Sequence, residues 1–125
     1  MATIFSYTDA GFSSPEQEVR FIADLGEAVR SGLDLAPNLK SVYNFAIDPI
    51  HTTKKDRPEI TVFIYTAPDK TLDQKRKVVE NVKESVDRTF GEDSVNTVVI
   101  FKIHDDENVG VNGVIRKDAK ANASK

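Results

Sequence analysis

The chain contains no cysteine. Disulfides, thiolate nucleophiles and cysteine-ligated zinc are therefore excluded, and a reducing, cytoplasmic setting is expected. Net charge is small: 17 basic against 20 acidic residues, a balance of -3. No broad basic field is available to hold phosphates, so nucleic acid is not an expected partner. No apolar run approaches the length that spans a membrane, and the first eight residues lack the basic start and the length of a secretion signal. Also missing are a phosphate-cradling glycine loop, a serine triad and a zinc-binding pattern. Nothing in the sequence calls for a cofactor or a metal.

What is present is a duplication. The chain has 125 residues, 39% hydrophobic and 30% charged, enough for one soluble domain that buries roughly two thirds of its unfolded surface. Residues 41–47 read SVYNFAI and residues 97–103 read TVVIFKI. A helical stretch precedes each, and another apolar run precedes that. Ile22, Leu25, Val29 and Leu33 follow one another at +3, +4 and +4, and so do Val79, Val82, Val86 and Phe90, each 57 residues later (79 − 22 = 57). This spacing predicts one apolar face on each helix.

Local signals place the elements. Thr3 to Thr8 reads as a strand closed by Asp9-Ala10-Gly11. Ser14-Pro15-Glu16-Gln17 opens a helix with a capping serine, a proline at the first helical position and a glutamine that reaches back. That helix is expected to end near Ser31 or Gly32. Ser41 to Ile47 is the second strand. Residues 48–57 form a polar connector with a basic cluster, Lys54, Lys55 and Arg57. Glu59 to Thr66 is the third strand, apolar on both faces. Thr71-Leu72-Asp73-Gln74 repeats the capping pattern, the second helix runs to Phe90 with Gly91 after it, and Thr97 to Ile103 is the fourth strand. Val109-Gly110-Val111-Asn112-Gly113-Val114-Ile115 suggests a short strand or hairpin that bends at its glycines. Residues 116–125 show no periodicity and are expected to be a flexible tail. Asn122-Ala123-Ser124 matches a glycosylation sequon, which carries little weight without a secretion signal.

Two β-α-β units with short loops imply parallel strands and right-handed crossovers within each unit. The expected fold is α+β, a two-layer α/β sandwich. A four-stranded mixed sheet carries both helices on one face, with a short C-terminal strand added. One domain over residues 1–115 is expected, with repeats 1–57 and 58–115. The opposite sheet face is left bare, and Phe5, Tyr7, Tyr43, Phe45, Phe63, Tyr65, Val99 and Phe101 are assigned to it. That much apolar surface is expected to be buried by self-association, with the C-terminal strand pairing onto a neighbour's edge.

Several segments resemble the tautomerase superfamily over residues 1–115. Pro58-Glu59-Ile60-Thr61-Val62-Phe63-Ile64 resembles the opening of a short 4-oxalocrotonate tautomerase subunit, and Leu72-Asp73-Gln74-Lys75 sits where such proteins start their helix. Asn108-Val109-Gly110-Val111-Asn112 is similar to the segment after the last strand of macrophage migration inhibitory factor. Ala67-Pro68-Asp69-Lys70 is similar to a basic substrate-binding loop of malonate semialdehyde decarboxylase. The resemblance implies a homotrimer of fused units and a site where chains meet. It also implies proton transfer on a small keto or enol carboxylate.

One departure is plain. The family's chemistry rests on an N-terminal proline, and here Ala2 follows Met1. Pro58 stands at an equivalent strand start, but its nitrogen is locked in a peptide bond. The arginine of the family's last long strand is replaced by Val99, and by Tyr43 in the first half. A primary amine at the chain start, on Met1 or on Ala2 after Met1 removal, keeps the needed chemistry available. Its reference pKa of about 7.7–8.0 falls with burial and neighbouring cations. The candidate catalytic residues are therefore Ala2, Met1 and Lys70. Tyr43, Val99, Asn108, Val109 and Val111 are the candidate substrate-binding residues. A catalytically silent trimer that binds a ligand or partner stays open, as does a ferredoxin-like dimeric barrel. His51, His104 and the Asp105-Asp106-Glu107 run are read as solvated surface.

Overall fold

The computed structural model describes residues 1–123; Ser124 of the sequon lies outside them. Four long strands form one sheet: β1 (Ala2–Thr8), β2 (Lys40–Ala46), β3 (Glu59–Thr66) and β4 (Asn96–Ile103). Helix α1 (Pro15–Gly32) joins β1 to β2, and α2 (Leu72–Phe90) joins β3 to β4. The strand order is β2-β1-β3-β4. Each unit's own strands lie side by side and parallel, and the two units meet through the antiparallel pair β1 and β3. A ferredoxin-like barrel is ruled out, because that fold splits its β-α-β units by placing a foreign strand between the two.

Both helix starts form as their sequences dictate. Ser14 Oγ accepts the Gln17 N–H at 3.0 Å, with Pro15 at the first helical position. Thr71 and Gln74 complete a reciprocal capping box. The expected faces are buried at Leu25, Val29 and Leu33 and at Val82 and Val86, but at the start of each face Phe21 and Val78 take the places expected for Ile22 and Val79. Phe21, Leu25, Ala28 and Val29 face the sheet on α1, and Val78, Val82, Ser85 and Val86 on α2. Ile22 is half-buried and Val79 exposed. The 57-residue offset survives the shift, since Phe21 and Val78 are that far apart (78 − 21 = 57). Gly32 lies so close to α2 that an added methyl would meet Val78 Cγ2 at 2.6 Å and Val78 Cα at 3.0 Å.

The sheet has two unlike faces. Ile4, Ile60, Val62 and Ile64 are fully buried beneath the helices. Burial at this scale contributes about 1.5–3 kcal/mol for each large aliphatic side chain. Val99 and Phe101 pack against that same core, because β4 sets them beside Val62 and Ile64. Their assignment to the bare face is therefore corrected: Val98 and Ile100 take those places, with Ile100 beside Phe63. On the helix-free face Phe5 stacks on Tyr43 at 5.4 Å and Tyr7 on Phe45 at 4.8 Å, while Tyr7 meets Phe63 edge-on. Tyr43 is 52% exposed and Phe45 43%.

After β4 come a 3-10 turn (Asp106–Asn108), a hairpin of β5 (Gly110–Val111) and β6 (Val114–Ile115), and helix α3 (Arg116–Ala123). The short strands β5 and β6 pair with each other, Val111 opposite Val114, and their outer edges have no strand partner among the described residues. One expectation is corrected here. The segment expected to fray from residue 116 is helical as far as Ala123. Its missing apolar period is replaced by charge: Arg116 and Lys120, one turn apart, both reach Asp106.

Gly32→Ala tests the helix crossing. Helix propensity alone predicts a gain of about 1 kcal/mol. The clash with Val78 is expected to win, lowering the urea midpoint below that of the parent chain.

Candidate functional site

A cavity of about 60 Å³ opens at the end of the sheet where β1 begins and β3 finishes. Thr3 and Tyr65 floor it from the helix-free face, Thr66 and Ala67 form one rim, and His104, Asp106, Val109 and Arg116 close it from the C-terminal segment. Met1 stands in it. The space suits a group the size of a carboxylate and is too small for a whole organic ligand.

Each part is held in place by the fold. Thr66 Oγ1 donates to Met1 O at 3.2 Å. The Ala2 N–H donates to Leu39 O at 2.9 Å and Ala2 is buried. The first residue is thus fixed on both sides of its carbonyl. The His104 N–H donates to Thr66 O at 2.9 Å, and the His104 ring lies flat on Tyr65 with centroids 5.3 Å apart. The Arg116 N–H donates to Val109 O at 2.7 Å, and Arg116 Nη1 lies 3.9 Å from Met1 Sδ. Asp106 anchors this segment through Lys120 at 2.7 Å and Arg116 at 3.6 Å. Lys120, with Arg116 and the amine adding to it, holds the Asp106 carboxyl below its ordinary value.

The electrostatics act mainly on the amine. Its pKa is lowered from the ordinary 8.0, first by loss of solvent, then by Arg116, Lys70 and Lys120; Asp69 opposes them. A primary amine that gives up its proton more readily than an ordinary chain terminus, set among cations, is equipped to take a proton from a carbon acid and to hold an anion.

The sequence candidates fall unevenly around this cavity. Met1 and Val109 line it. Lys70 stands close enough for its charge to act on the amine; its side chain is mostly buried, 3.6 Å from Asp69. Ala2 adjoins the cavity, but its nitrogen is an amide already committed to Leu39. Asn108 is exposed at the end of the 3-10 turn and Val111 half-buried in the hairpin, both outside the lining. Tyr43 lies on the helix-free face against Phe5, also outside it. Val99 is corrected as a binding residue, since its side chain is turned into the core beneath the helices. Arg116, Tyr65, His104 and Asp106 were not selected from the sequence. The Arg116 and Lys120 pairing with an acid ten or more residues upstream was the available signal for the first.

Comparison with known proteins gives the class. The family model described as tautomerase enzyme matches residues 58–119. Among solved structures, the fold is similar to a wild-type fused 4-OT described as a symmetric trimer, at TM-score 0.83 and 14% identity over 94% of this chain and 98% of that one. It is also similar to malonate semialdehyde decarboxylase, at 0.79 and 10% identity over 96% and 98%. A macrophage migration inhibitory factor-like protein from Entamoeba histolytica matches at 0.75 and 8% over 89% and 95%. Comparison with curated protein sequences gives no match. The chain belongs to the tautomerase superfamily.

The two nearest cations give a test. Replacing Arg116 by Ala removes the largest charge that opposes protonation of the Met1 amine, so the amine's pKa is expected to rise. Lys70→Ala should raise it less. Titration of the 15N-labelled terminal amine by NMR reads both shifts, and a fall in either variant would contradict the electrostatics described.

Proposed function

We propose that this protein catalyses proton transfer on a small keto or enol carboxylate, with the Met1 amine as the base. The observation that carries the proposal is that amine, lowered in basicity and lodged beside Arg116 and Lys70 at the end of the sheet. In the ketonising direction the amine takes the enol hydroxyl proton and returns a proton to the adjacent carbon. The carboxylate docks against Arg116 and Lys70. Should Met1 be removed, the free amine would fall on Ala2, 2.9 Å from Leu39 O.

The cavity takes only part of such a molecule, so a second copy of the chain supplies the remaining wall. The helix-free face supports this. Its stacked aromatics are more apolar surface than a lone domain leaves in water, and the outer edges of β2 and β4 carry no strand partner among the described residues. The assembly we propose is a homotrimer, in keeping with the symmetric trimer of the similar fused 4-OT. The cysteine-free composition suits the cytoplasm, where we place it, and no helix among the described residues is long and apolar enough to cross a membrane.

A second function is supported by one contact. The Met1 side chain lies against Arg116, where an anion would sit. A silent binding protein, or a partner subunit for an active relative, would show that arrangement too.

Phenylenolpyruvate ketonisation followed by absorbance separates the two. Turnover is expected, with an ascending pH limb whose midpoint lies below 8.0, because the amine must be unprotonated and its pKa is lowered. A Gly-Ser extension before Met1 should abolish it. Equal rates with and without the extension would rule out the amine.

Self-association is tested by Phe63→Glu. Light scattering should show a trimer for the parent chain and a monomer for the variant, with helical circular dichroism unchanged. A parent chain that is monomeric at assay concentration would exclude an interfacial site.

A further inference from the structure

The two ends of the sheet are copies of each other. Because β1 and β3 run antiparallel at the centre, each end presents the start of one central strand beside the finish of the other. The hydrogen bonds repeat. Thr8 Oγ1 donates to Glu59 O at 3.0 Å, as Thr66 Oγ1 does to Met1 O at 3.2 Å. The Ile47 N–H donates to Thr8 O at 2.8 Å, as the His104 N–H does to Thr66 O at 2.9 Å. A three-residue 3-10 turn follows each, Pro49–His51 and Asp106–Asn108. The counterpart of Met1 is therefore Glu59, and the counterpart of Ala67 is Asp9 (59 − 1 = 58; 67 − 9 = 58).

At the far end a carboxylate stands where the Met1 end has only the methyl of Ala67. One Asp9 oxygen accepts the Glu59 N–H at 2.8 Å. The other accepts from Thr52 Oγ1 at 3.0 Å and pairs with Lys55 Nζ at 3.1 Å. The Asp9 side chain is only 9% exposed. Strand nitrogen, hydroxyl and ammonium therefore converge on one buried anion, a complete binding site. The amide and Lys55 hold its carboxyl below the ordinary range, although burial pushes the other way.

We infer that the Asp9 end is a carboxylate-binding site occupied by the chain's own side chain, and that deleting this side chain opens it to a small free carboxylate. The fold then carries two such sites of which one is filled from within, so a single end is left for an external ligand. Extending the geometry to the Met1 end, with a ligand carboxylate against Arg116 and Lys70 beside the terminal nitrogen, rests on the function proposed above.

The test is rescue. Asp9→Ala, melted at pH 7 in sodium chloride, is expected to unfold below the parent chain. Sodium formate at equal ionic strength should recover part of the loss, a shift on the order of 3–6 °C for a ligand well above its dissociation constant. The parent chain should not respond, and adding Lys55→Met to Asp9→Ala should remove most of the formate effect. Equal melting of Asp9→Ala in both salts, or an equal formate shift in the parent chain, would overturn the inference. If Asp9→Ala does not fold in chloride, refolding in formate supports the inference and refolding in neither salt overturns it. Formate rescue is read at the far end and phenylenolpyruvate turnover at the Met1 end, so each idea can fail alone.

Discussion

The antiparallel pairing of β1 with β3 is the constraint on which the rest of the molecule depends. It is the only ladder that joins the two β-α-β units among the described residues. Each unit alone has a two-stranded sheet and one helix, too little to exclude water from Ile4 or Ile64. Joined, their central strands place Ile4 opposite Ile64, beneath both helices. The pairing also fixes the register, from Ala2 opposite Thr66 to Thr8 opposite Ile60. That register brings the first residue of the chain to the loop of residues 67–70.

Charge is arranged around this frame in two ways. At the far end Asp9 binds the start of β3 and the connector together, and Arg57 reaches Asn96 Oδ1 at 2.7 Å. The basic cluster that reads as a solvated linker thus ties the two units. Asp9 also makes the junction sensitive to acid. Its folded pKa is depressed, so its contribution is complete above the unfolded value of about 3.9 and is lost as pH falls through the folded one. At the Met1 end cations gather with no buried carboxylate among the described residues; Asp69 pairs with Lys70, and Asp106 with Arg116 and Lys120.

Much of the fold was legible because local chemistry specified it. Ser14 and Thr71 announce their helices, and Glu59 to Thr66 reads as a strand from its composition alone. The failures share a physical cause. Ile22 and Phe21 are both apolar, so periodicity placed Leu25, Val29 and Leu33 inside but could not choose between these two neighbours at the start of the face. Val98 to Phe101 is apolar throughout, and only its register against β3 decides that Val99 turns inward. The site was harder still. Lys70 and Met1 could be named from resemblance and terminal chemistry. Arg116 could not, because α3 has no apolar stripe and is held by Asp106, a residue that looks like one more solvated acid.

The contact between Arg116 and Met1 joins residues 115 positions apart in the chain. Contacts of such separation bear the largest loop-closure cost and form late in folding. Helix α3 rests mainly on Asp106 and the neighbouring turn, with few apolar contacts to hold it. Segments of that kind detach at a lower free energy than the core beneath them. The cavity is thus closed by a segment of that kind, a single short helix whose release would leave the sheet intact.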